Sequence, residues 1–152
     1  MASGVYDTPR LCIENTATGA ESCLDGANVE DSDFVPNRAT IVVSADFTGQ
    51  QELWRADVQP DGALTNFTQL TSGPFGQPSL SPRVSTDGNW IIFVRDTDAG
   101  EAENLVLHVV RLDGAGLRSL DIVGDNPAWS GGGAPASSPQ NERLFFPLVR
   151  RP

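Results

Sequence analysis

The densest group of potential ligands is DTDAGEAEN, residues 96–104, where Asp96, Asp98, Glu101 and Glu103 fall within eight positions. Gly100 permits a tight bend among them. Ca2+ takes about six to eight oxygen ligands and accepts several from one flexible loop. The Asp-x-Asp-x-Gly run opens such a loop, but the carboxylates after it do not follow the EF-hand spacing. Two readings stand: a Ca2+ site at these four carboxylates, or a solvated acidic hairpin loop. Glu30, Asp31 and Asp33, in GANVEDSD at 26–33, carry the same two readings.

Other chemistry is sparse. His108 is the single histidine and lies in the apolar run LVLHVV. A catalytic base needs a nucleophile and an orienting acid; His108 is expected instead in the core or on the surface of a strand. There is no Gly-x-Ser-x-Gly, no zinc spacing and no phosphate loop. Trp129-Ser130-Gly131 looks superficially like a nucleophile turn, but Ser130 is better explained by a repeat described below. No catalytic residue is assigned, no enzyme activity is expected, and Ca2+ is the one cofactor considered.

Two cysteines, Cys12 and Cys23, sit in LCIENTATGAESCL. This reads as a hairpin with its turn at residues 16–19. Counting outward from that turn sets Cys12 opposite Cys23, at a non-hydrogen-bonded site if Asn15 and Ala20 close a four-residue loop. Facing Cβ atoms lie about 4.5–5.5 Å apart, near disulfide range. A disulfide is expected, with two buried thiols as the alternative. A disulfide favours an extracytoplasmic compartment.

Acidic residues outnumber basic ones 20 to 10 in 152 residues, for a net charge of −10, and every basic residue is Arg. Such a surface repels phosphate backbones and anionic membranes, so nucleic acid is not an expected partner. No apolar stretch approaches the roughly 20 residues of a membrane-spanning helix. Residues 1–10 lack a basic segment followed by an apolar one, so no signal peptide is expected there.

The elements that must position these groups are strands. Apolar runs are short, rich in β-branched and aromatic residues, and fenced by Gly, Pro, Asn and Asp. Strands are expected at 10–14, 21–24, 39–45, 52–58, 68–71, 90–95, 105–111, 117–122 and 144–149, with shorter ones near Asp33, Ser79 and Ala128. The sequence also repeats itself. IVVSAD at 41–46 matches IIFVRD at 91–96; LWRADVQPDGALTNFTQLT at 53–71 matches LVLHVVRLDGAGLRSLDIV at 105–123. The turn Asp61-Gly62 falls on Asp113-Gly114, and NPAWS at 126–130 repeats QPSLSP at 77–82. A unit of about 45–50 residues with four strands is a β-propeller blade. Trp54, Trp90 and Trp129 occupy blade positions that pack between sheets; one exposed at a ring face would suggest carbohydrate stacking or a protein hot spot.

SLSPRVSTDGNWIIFVRDTDAGEAENLVLHVVRLDG resembles the TolB-type, WD40-like repeat. That pattern runs Pro-aromatic-Ser-Pro-Asp-Gly, a strand, an acidic loop with Gly, then Leu-Tyr and a closing Asp-Gly turn. Residues 77–122 fit it well and 33–71 fairly. Arg83, Val84 and Ser85 intervene before the Thr-Asp-Gly, and Trp54 and Val106 replace the usual Tyr. The expected fold is all-β, with antiparallel four-stranded propeller blades, two complete plus two complementary half-blades. Residues 1–28 would supply the last two strands of a split blade, 29–73 and 74–124 the whole blades. Residues 125–152 would supply the split blade's first two strands through a Gly/Pro/Ser link.

About three blades' worth of strands cannot enclose an ordinary ring. Bare apolar end faces would be costly at about 25 cal/mol per Å². The resemblance implies six blades, which two copies of the protein would complete with two-fold symmetry. The alternatives are a larger propeller finished by another polypeptide, or an open stack covered by a protein partner. The functional expectation is a non-catalytic interaction or scaffold module. A Ca2+- or carbohydrate-binding propeller and the accessory propeller of a hydrolase remain beside it.

Overall fold

The computed structural model describes residues 10–97 and 104–130. Ten strands run in sequence order: β1 (Cys12–Asn15), β2 (Ala20–Cys23), β3 (Val29–Phe34), β4 (Thr40–Ala45), β5 (Glu52–Val58), β6 (Leu64–Gln69), β7 (Ser79–Val84), β8 (Trp90–Asp96), β9 (Leu105–Arg111) and β10 (Arg118–Val123). They form one two-stranded sheet, β1-β2, and two four-stranded sheets, β3-β4-β5-β6 and β7-β8-β9-β10, with each strand beside its sequence neighbour. All pairings are antiparallel. The all-β class with four-stranded antiparallel sheets is therefore as the repeats predict.

The strongest runs, TIVVSA and WIIFVRD, become the second strands of the two large sheets. Their side chains do not alternate between core and solvent because both faces of each sheet are covered. Side chains of a strand point to opposite faces in turn. Val42 thus faces the other large sheet, joining Val35, Leu53, Ile91, Phe93 and Val110 in the central core. Ile41, Val43 and Ala45 face the β1-β2 hairpin, with Ile13 among them. On the far face of the second sheet, Ile92, Val94, Leu107 and Val109 make a third cluster.

That far face departs from expectation. Ile92, Val94 and Val109 are at most 1% exposed within the single molecule. Trp129 packs on the cluster and donates its indole N–H to the Arg83 carbonyl at 2.7 Å. This flank is not bare. Trp129 packs there from a segment, 126–130, that joins no ladder among the described residues, so no strand forms near Ala128. The strand at 144–149 lies outside the described residues. One other strand is displaced: β6 begins at Leu64 rather than at Thr68. The tight turn after β5 sets Leu64 against Val58 at once, and pairing continues from there past an irregularity between Arg55 and Asp57.

Three Asp-Gly turns share one local design. Asp61, Asp87 and Asp113 each accept the backbone N–H two residues on, at 3.0, 3.0 and 2.9 Å. The following Gly62, Gly88 and Gly114 have φ of +85°, +72° and +86°. Any L-residue there meets left-handed strain of about 1–2 kcal/mol. Gly62 is further constrained because an added Cβ would lie 2.3 Å from the Ile13 carbonyl oxygen of the hairpin, whereas at Gly114 the nearest atom is 3.8 Å away. Gly114→Ala is expected to cost about 1–2 kcal/mol. Gly62→Ala should cost clearly more and loosen the hairpin, which urea unfolding of the two variants side by side would show.

Candidate functional site

The acidic loop is only partly within the described residues. Asp96 closes β8 opposite Leu105, while Asp98, Glu101 and Glu103 lie outside them. The equivalent loop of the first large sheet is described, and its carboxylates are committed to the fold. Asp46 accepts the Asn28 N–H at 2.8 Å. Glu52 is buried. The second acidic group is likewise committed in part: Asp31 pairs with Arg83 at 2.8 Å, and Asp33 accepts the Val84 N–H at 2.7 Å. Asp31 and Asp33 join the first large sheet to the second. Among the described residues, one group of three metal-capable side chains comes together, Cys12, Glu21 and Cys23. Both sulfurs there are joined in a disulfide, so they cannot serve as thiolate ligands. Cys12 faces Cys23 and Asn15 faces Ala20, the register the loop count predicts.

The sequence gives no hint of the polar cluster at one end of the central core. Glu52 (1% exposed) opens β5, Ser79 opens β7, Arg95 stands near the end of β8, and Thr71 follows β6. Glu52 Oε1 accepts the Gly73 N–H at 2.7 Å and the Gln50 amide at 2.8 Å. Glu52 Oε2 accepts the Thr71 hydroxyl at 2.5 Å and the Ser79 hydroxyl at 3.0 Å. Arg95 Nη2 donates to Ser79 Oγ at 3.0 Å and stands 3.8 Å from Glu52 Oε2. Burial pushes the Arg95 pKa down, and the Glu52 charge opposes that. Both Glu52 oxygens are filled, so this carboxylate has no free capacity as a base or a metal ligand. It links the two large sheets. The repeat hides it: Ala45 stands where the second unit has Arg95, and Asn104 where the first has Glu52.

His108 is 8% exposed in β9. Its Nδ1 lies 3.0 Å from the Val106 carbonyl, so Nδ1 carries the proton and Nε2 is the basic nitrogen when the ring is neutral. Its ring lies 5.6 Å from that of Phe93. These are core contacts, as its apolar run predicts. Burial lowers the His108 pKa; the Val106 hydrogen bond opposes this, the Arg95 charge adds to it, and Asp121 opposes it. The unfolded state therefore takes up this proton first as pH falls below about 6.5. Stability from His108 is full above that pH and declines as pH falls toward the lower folded value. His108→Gln should flatten the loss of stability as pH falls below about 6.5, read by urea titrations at each pH.

A third constellation lies at the other end of the sheets. Antiparallel connections alternate ends, so the β3–β4, β7–β8 and β9–β10 turns gather opposite the Glu52 cluster. They border an open cleft of about 150 Å³ lined by Arg38, Arg55, Asn89, Arg111, Leu112 and Asp113. Arg38 Nη2 is 3.4 Å from Asn89 Oδ1, and Arg55 Nη1 is 3.4 Å from the Leu112 carbonyl. Arg111 lies over the Trp90 ring, 5.6 Å from its centroid, with Asp113 3.8 Å from its Nε. Sequence reading missed this cleft because the arginines are 17 and 56 residues apart.

The architecture is that of a β-propeller stack: four-stranded antiparallel sheets, each laid down in sequence order and packed face to face on the next. Among solved structures, the chain is similar to a protein assigned as TolB from Agrobacterium tumefaciens, with 19% identity and a TM-score of 0.58 over 70% of this chain. It spans 38% of the length of that protein, and the likeness is one of fold. No family model matches the chain, and no curated protein does. Among the described residues no helix is long and apolar enough to cross a membrane.

Proposed function

We propose that the protein is a non-catalytic, TolB-like interaction module with WD40-like repeats, and that it completes its propeller with a second copy of itself. In this reading residues 29–73 and 74–124 are whole blades, and 1–28 and 125–152 contribute halves of another. The observation that carries it is the hairpin flank. Among the described residues β1 pairs only with β2, and a strand edge without a ladder partner is a template for a further strand. Aromatic surface stands on the same side. Phe47, 38% exposed, packs on Trp54 and Phe67. Asp33 points to the second large sheet, so Phe34, its neighbour, points to the hairpin side; it is 54% exposed. Two copies meeting through this flank would cover both features at once. The disulfide supports an extracytoplasmic setting.

Light scattering on the purified protein tests the reading. A mass of twice 16.2 kDa is expected, and Phe34→Asp should shift it toward the monomer. A monomer stable across micromolar concentrations would overturn assembly with itself.

A further inference from the structure

We infer that the Arg38–Arg55–Arg111 cleft is a binding site for a single carboxylate on an otherwise uncharged peptide segment, such as the free α-carboxylate that ends a polypeptide. The inference is independent of the oligomer reading, because the cleft lies at the turn rim and not on the hairpin flank.

Three guanidiniums line one small cleft in a protein whose net charge is −10. Acidic side chains are in twofold excess, yet among the described residues neither Arg38 nor Arg55 has a carboxylate within 4.0 Å. Their hydrogen bonds are to an amide oxygen and a backbone carbonyl, both at the long distance of 3.4 Å. Charge-assisted hydrogen bonds are shorter, about 2.7–2.9 Å, so both guanidiniums retain capacity for an anion. Asp113 supplies one negative charge at the rim. It is partly occupied, since one oxygen accepts the Ala115 N–H at 2.9 Å and the other faces Arg111 Nε at 3.8 Å. The cleft is left with a net positive charge.

Charge and hydrogen-bond geometry together choose the ligand. The cleft is open and has room for a carboxylate and its stem. An arginine fork matches a planar carboxylate in two parallel hydrogen bonds. A polyacidic ligand would be repelled by the rest of the surface, so the charge must arrive singly. Asn89, whose Oδ1 accepts from Arg38 and whose Nδ2 donates to Asp87 at 2.9 Å, holds Arg38 at the cleft.

The test uses the full-length protein at low ionic strength, where weak ion pairing is least screened. The probes are N-acetyl trialanine with a free C-terminus, its C-terminal amide, and inorganic phosphate, each titrated by calorimetry and by amide chemical shifts. The free carboxylate is expected to bind with a Kd of about 1 mM and to shift the amides around Asn89 and Leu112, while the amide form does not bind. Arg38→Ala, at an exposed position, should weaken binding about tenfold with an unchanged melting temperature. Arg118→Ala, on the exposed strand β10, should leave it unchanged. Phosphate that competes with the peptide supports the shared oxyanion site. Phosphate binding without peptide binding, equal binding of the amide, unchanged affinity in folded Arg38→Ala, or no binding at all would each overturn the assignment.

Discussion

Glu52→Ala is expected to lower the unfolding free energy by about 3–5 kcal/mol, the loss that follows when one partner of a buried ion pair is removed. The side chains of Glu52 and Arg95 are 2% and 9% exposed. Deleting the carboxylate strands a guanidinium in a site whose Nε already lacks a hydrogen-bond partner. It also removes the acceptor of the Ser79 hydroxyl and the Gly73 N–H and the shorter of two partners of the Thr71 hydroxyl, while the Gln50 amide keeps the Gly73 and Pro74 carbonyls. An unmet buried donor costs about 1–3 kcal/mol, so the loss spreads beyond the ion pair. For a domain whose whole stability is about 5–15 kcal/mol, this is a large share. Urea unfolding measures it. Arg95→Met in the same background should recover much of the loss, because the pair is then removed together. A loss below about 1 kcal/mol for Glu52→Ala would show that water reaches the cluster and that it adds little to the link between the sheets.

Legibility in the sequence follows the range of the interaction. The hairpin at Cys12 and Cys23 depends on residues next to one another, so counting from Thr16 and Gly19 yields the correct partners. The Asp-Gly turns are local too, and Asp61 and Asp113 sit where the repeat sets them. The strand pattern is readable because both faces of the large sheets are buried, which leaves runs such as Ile41-Val42-Val43 unbroken. Interactions between sheets are not readable. Glu52 looks like one member of an acidic loop, yet Ser79 and Arg95, 27 and 43 positions later, make it a core residue. Asp31 and Asp33 look like candidate ligands for the same reason, and both reach across to the second sheet. Trp129 shows the converse error. Its repeat position suggests a strand, but the indole covers the far face as a single plug held by the Arg83 carbonyl.

Cys12→Ser with Cys23→Ser is expected to cost about 2–3 kcal/mol, the chain-entropy value for a loop closed across 11 residues. The loss should be local first. β1 and β2 are four residues each, and a two-stranded hairpin on its own is marginal in water. Without the covalent link it is held by Ile13 in the second core, by Leu11 and Leu24 beside it, and by the Asn15 amide donating to the Pro60 carbonyl at 2.8 Å. Opening the hairpin would uncover Ile41, Val43 and Ala45, which are fully buried in the intact protein. Hydrogen exchange should therefore show the β1, β2 and β4 amides losing protection before those of β8 and β9. Trp54, packed against that core, should report the change by fluorescence ahead of global unfolding. If the double variant keeps its stability within about 0.5 kcal/mol and the β4 amides stay protected, packing alone holds the hairpin in place. If instead all ten strands lose protection together, the hairpin belongs to the cooperative core of the stack, and the disulfide stabilises the whole unit.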